Sequence, residues 1–75
     1  MKTEYKYLRF VEHVQTGKTR RWECRNIKHN TSLGWIGWSG AWRQYVFNPE
    51  DQTMFSRGCL ADIQDFMQQA MQERG

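Results

Sequence analysis

Seventy-five residues, a net charge of +3 and an aromatic content of 15% describe one small domain with room for a modest core. That length excludes a multidomain enzyme, and no apolar run approaches the ~20 residues that cross a membrane as a helix. The mild basicity suits an anionic partner without requiring one.

Met1-Lys-Thr-Glu-Tyr5 leads directly into strand-like composition, so no secretory leader is expected and the chain reads as cytoplasmic. Residues 4–15 contain Tyr5, Tyr7, Leu8, Phe10, Val11 and Val14, the composition of a first strand. Thr16-Gly17-Lys18 supplies a turn. Residues 19–27 alternate more cleanly as a second strand, and Lys28 to Ser32 is a polar loop. Residues 33–38 and 42–47 form strands three and four around Ser39-Gly40. Pro49 cannot donate to a ladder and breaks the sheet, after which Thr53-Met-Phe55 suggests a short fifth strand.

From about Arg57 the period changes. Leu60, Ile63, Met67, Ala70 and Met71 recur at helical spacing beside Phe66, with Ser56 as the N-cap. The expected fold is α+β: an antiparallel meander of four to five strands with one C-terminal helix packed on one face, in a single domain spanning residues 1–75.

Two hairpin registers sort the side chains. A tight turn at Thr16-Gly17 or Gly17-Lys18 puts Tyr7, Arg9, Val11 and His13 on the face of Trp22, Cys24 and Asn26. A two-residue Ser39-Gly40 turn pairs Trp38 with Ala41, Gly37 with Trp42 and Gly34 with Tyr45, so that each glycine lies beneath a ring. One face then carries Ile36, Trp38, Arg43, Tyr45 and Phe47, the other Leu33, Trp35, Trp42, Gln44 and Val46. The cost of burying Arg43 unpaired favours the second set inside. Trp38, Arg43 and Tyr45 are then expected outside, beside Arg21 and Arg25.

A Trp–Arg–Tyr surface fits stacking on bases while guanidinium groups meet phosphates. Two other readings of the same residues stand beside it. The rings can cover the second face of a core-poor domain, packing on arginine stems. They can also form a protein interface or the contact of a homodimer, since Trp, Tyr and Arg are enriched there.

Catalysis and metal binding find little in the sequence. There is no nucleophile elbow, phosphate loop or carboxylate pair, and Gly34-x-x-Gly37 lacks the strand–turn–helix setting of a nucleotide fingerprint. His13, Cys24, His29 and Cys59 are eligible ligands, His13 and Cys24 potentially on one face, but none of their spacings is that of a structural zinc site. No catalytic residue, metal or cofactor is expected. Cys24 reads as a small buried hydrophobe and Cys59 as a packing residue at the helix start, both reduced.

The run Gly34-x-Ile36-x-Trp38, then Trp42-Arg43-x-Tyr45-x-Phe47-x-Pro49, resembles a family of short uncharacterised proteins from bacteria and their phages. The likeness reaches back to Trp22-Glu23 and forward through Thr53-x-Phe55 and Cys59-Leu60-x-x-Ile63-x-x-Phe66, covering about residues 20–67. It implies a prokaryotic or phage setting, hence a bacterial cytoplasm, and transfers no catalytic or ligand residue. The expectation is a non-enzymatic protein that binds nucleic acid or a nucleotide through Trp38, Arg43, Tyr45, Arg21 and Arg25. The rival expectation is a protein-binding module, such as a phage inhibitor of a host protein.

Overall fold

β-Branched and aromatic residues alternating with polar ones are suited to strands that bury one face, and the chain realises four of them. In the computed structural model, which describes residues 1–13 and 19–74, these are β1 (Leu8–His13), β2 (Arg21–Asn26), β3 (Ser32–Ser39) and β4 (Gln44–Pro49). They form one antiparallel sheet in the order β1-β2-β3-β4, and a helix, α1 (Arg57–Arg74), follows. The meander with one C-terminal helix is the expected α+β architecture. Residues 53–56 are not a strand, so among the described residues the sheet has four strands and the expected fifth is not formed. The first turn expected at Thr16-Gly17-Lys18 lies outside the described residues.

The helix begins where the sequence signals it. Ser56 Oγ accepts a hydrogen bond from the Cys59 amide at 3.2 Å, which satisfies a donor that the first helical turn leaves free. Ile63, Phe66 and Ala70 are buried, with Cys59 and Met67 packed beside them. Leu60 and Met71, expected in that stripe, are instead 51% and 38% exposed. The buried line runs through positions 59, 63, 66 and 70, one residue away from theirs.

The core lies between α1 and one sheet face. Phe10 stacks on Phe66 with centroids 4.1 Å apart, and Trp22 meets both Phe66 and Tyr45 edge-on. Leu8, Cys24 and Ile36 complete it. Complete burial pushes the Cys24 thiol up to about 12 and leaves it inert.

A polar rim ties the helix down. Tyr5 donates to Asp65 at 2.6 Å and accepts from Gln69 at 2.8 Å, while Arg20 pairs with Glu12 and Glu73. Burial and the Asp65 carboxylate hold the Tyr5 hydroxyl protonated far beyond its ordinary range.

Three expectations about faces are corrected by the register. In the first hairpin Phe10 pairs with Cys24 and Glu12 with Trp22. Residues directly opposite share a face, so Leu8 and Phe10 join Trp22 and Cys24, and Arg9, Val11 and His13 lie on the other side. His13 pairs with Arg21, which leaves an odd number of residues between them; a two-residue turn requires an even number. His13 and Cys24 are therefore on opposite faces.

In the second hairpin the connection is four residues long, 40–43, so Ser39 pairs with Gln44 and Trp38 with Tyr45. Only Gly34 keeps a ring: a Cβ there would sit 2.6 Å from Phe47 Cζ, whereas Gly37 has open space. Arg43 takes φ 57° in the turn, and so its burial cost does not bear on which face the helix covers.

The third correction follows. Tyr45 is buried and Trp38 half-buried beneath α1, where the Arg74 guanidinium lies 3.6 Å from the Trp38 ring centroid. Trp35 and Val46 lie on the opposite face, and Trp42 is 72% exposed in the turn. Leu33, the extra residue of a bulge opposite Cys24-Arg25, packs in part against the core as expected.

Candidate functional site

Alternation along the four strands leaves α1 covering one sheet face and nothing among the described residues covering the other. On that open face β1 presents Arg9, Val11 and His13, and β2 presents Arg21, Glu23 and Arg25. β3 adds Trp35 and β4 adds Gln44, Val46 and Asn48. The order of the strands places Trp35 and Glu23 near its middle.

Trp35 is half-buried by its neighbours. The Arg21 guanidinium stands 3.8 Å from the ring centroid, close enough for a cation–π contact. The His13 ring meets it edge-on at 4.7 Å.

Glu23, opposite both Val11 and Trp35, is only 7% exposed. Burial alone would raise its pKa. Hydrogen bonding outweighs that and holds the carboxyl below the ordinary glutamate range: Arg25 Nη1 donates at 2.8 Å, and His13 Nε2 lies at 3.1 Å.

Arg9 and Arg25 are direct cross-strand partners, a like-charge pairing that a sheet ordinarily avoids. Both donate to Asn30 Oδ1, at 2.8 and 3.0 Å, and Arg25 Nη2 also donates to the Asn30 carbonyl. Asn30 holds a left-handed φ of 54°, a conformation asparagine tolerates better than most residues. A neutral amide thus separates two guanidinium groups, and only Arg25 reaches a carboxylate. The face carries Arg9, Arg21 and Arg25 against the single carboxylate Glu23.

The expected site residues are divided by this arrangement. Arg21 and Arg25 are together on the open face. Trp38 and Tyr45 are on the helix side, and Arg43 stands exposed in the β3–β4 turn. Trp35 and Arg9 stand on the open face in place of the three displaced residues. Arg9 was concealed by a reversed first-hairpin parity, and Trp35 by the argument that Arg43 would be buried if its own face turned inward.

The fold and surface define a small α+β domain with an uncovered basic and aromatic sheet. The chain belongs to the family of the "Uncharacterized 9.3 kDa protein" of Acholeplasma phage L2, with which it is 35% identical over 69 residues, covering 91% of this chain and 88% of that protein. No protein-family model matches the chain, and no solved structure does. No helix among the described residues is long and apolar enough to cross a membrane.

Proposed function

We propose that the open sheet face binds single-stranded nucleic acid, and that the protein acts by binding rather than by catalysis. Arg9, Arg21 and Arg25 meet backbone phosphates, and a base stacks against the Arg21–Trp35 pair. The observation that supports this reading is that three arginines share a face with Trp35, one of them, Arg21, over its ring, and that the face has one carboxylate, itself engaged by Arg25. Arginine planes and aromatic rings are the groups on which unpaired bases stack, and the same arginines supply charge for the strand.

The test is a tryptophan-fluorescence titration with single-stranded DNA, duplex DNA, RNA and mononucleotides at two salt concentrations. The reading predicts saturable quenching by single strands, with each phosphate contact contributing roughly −0.7 to the slope of log affinity against log salt. Arg21→Ala reduces both affinity and that slope while the fold is retained. A flat response to every nucleic acid contradicts it and returns the face to the protein-binding alternative.

A further inference from the structure

The two edges of the sheet are treated differently by the chain. β1 is covered along its outer side by the N-terminal segment: the Phe10 amide donates to the Thr3 carbonyl at 2.9 Å, and Glu4 bridges Arg9. β4 is the opposite edge, with no strand beside it among the described residues. Its sequence, Gln44-Tyr-Val-Phe-Asn-Pro49, contains no charge to discourage pairing.

A groove of about 380 Å³ is lined by four successive residues, Gln44 to Phe47, together with Trp42 and Met67. Successive strand residues point to opposite faces, so a groove touching all four runs along the outer edge of β4 rather than on either face. The Glu50 amide donates inward to Leu33. By the alternation of an extended strand, the amides of residues 44, 46 and 48 also face β3, and those of Tyr45 and Phe47 face outward. Pro49 lacks its donor on that same outward side, where it ends the available ladder.

We propose that this edge pairs with β4 of a second copy of the chain, antiparallel about a two-fold axis at Val46. Tyr45 of each copy then exchanges backbone hydrogen bonds with Phe47 of the other, and the sheet becomes eight strands wide. The charges at the two ends of β4 select this partner. Exposed Arg43 precedes the uncharged stretch and exposed Glu50 and Asp51 follow it, so antiparallel pairing brings Arg43 of each copy to the acidic end of the other. The exposed apolar residues of α1 point the same way. Leu60, Met67 and Met71 fall on one side of the helix by their spacing, and Met67 fixes that side as the one above the groove. A two-fold axis at β4 sets the two stripes facing each other and covers Leu60 and Met71. The dimer is independent of what the open face binds.

Sedimentation velocity over a concentration series tests it, combined with amide hydrogen exchange. The expected result is a monomer–dimer equilibrium in which Arg43→Asp weakens association about tenfold, because two symmetric contacts become repulsive. Adding Glu50→Lys and Asp51→Lys to that variant restores association. Exchange at the Tyr45 and Phe47 amides slows as protein concentration rises. A monomer up to ~1 mM, where even a −4 kcal/mol association would register, overturns the proposal. So does a dimer indifferent to the charge reversal, or one that leaves those two amides unprotected.

Discussion

Glu23 shows how the open face can be both polar and well packed. A carboxylate this buried is tolerated because Arg25 and His13 approach its two oxygens, and their hydrogen bonding keeps its folded-state pKa below the ordinary value. The unfolded chain therefore binds more protons between those two values. Glu23 contributes full stability above the ordinary glutamate range, near pH 4–5, and loses it as the pH falls through the depressed folded value. Thermal melts from pH 7 to pH 3 are expected to show that acid limb in the native protein. Glu23→Gln lowers the melting temperature at pH 7 and flattens the limb; an unchanged limb contradicts the assigned role.

Among the elements, α1 was the most legible. Its serine cap and its start are properties of neighbouring residues and emerged as read, while its buried stripe runs through Cys59, Ile63, Phe66 and Ala70 and leaves out Leu60 and Met71. What failed was the choice of faces. β-Strand parity depends on loop length, and a change of one residue transfers every side chain to the other side. The first hairpin was read with an even connection and has an odd one. The second kept its parity, but Arg43 sits in a four-residue turn at positive φ, a conformation that an arginine does not advertise. Once Arg43 leaves the strand, nothing opposes burial of Tyr45.

The register also assigns Gly34 a strict role. A methyl group there would lie 2.7 Å from the Asn48 carbonyl oxygen as well as against the Phe47 ring, so β3 and β4 would have to separate. Gly34→Ala is expected to cost about 1–3 kcal/mol by overpacking. Gly37→Ala, with open space at its Cβ, has no such clash. Equal denaturation midpoints for the two variants would contradict this register.

At the scale of the molecule, one helix serves one face of a four-stranded sheet. The concentration of aromatic rings that marks residues 35–47 is thereby divided between two environments. Trp38, Tyr45 and Phe47 pack toward α1, Trp35 lies beneath Arg21 on the open side, and Trp42 stands on the turn. The sequence signalled a surplus of aromatic surface, and the fold places part of it beside Arg9, Arg21 and Arg25. Residues far apart in the chain become one surface only through pairing, and no local pattern in β1 names β3 as its neighbour but one.

The central claim is that this uncovered face, and not the helix side, receives a nucleic-acid strand. Backbone amide chemical-shift mapping during titration with a short single-stranded oligonucleotide tests it most directly. The predicted result is a salt-sensitive set of shifts centred on Arg9, Arg21, Arg25, Trp35 and Val46, with Ile63, Phe66 and Ala70 unmoved. Shifts centred on α1, or none at saturating oligonucleotide, would contradict it.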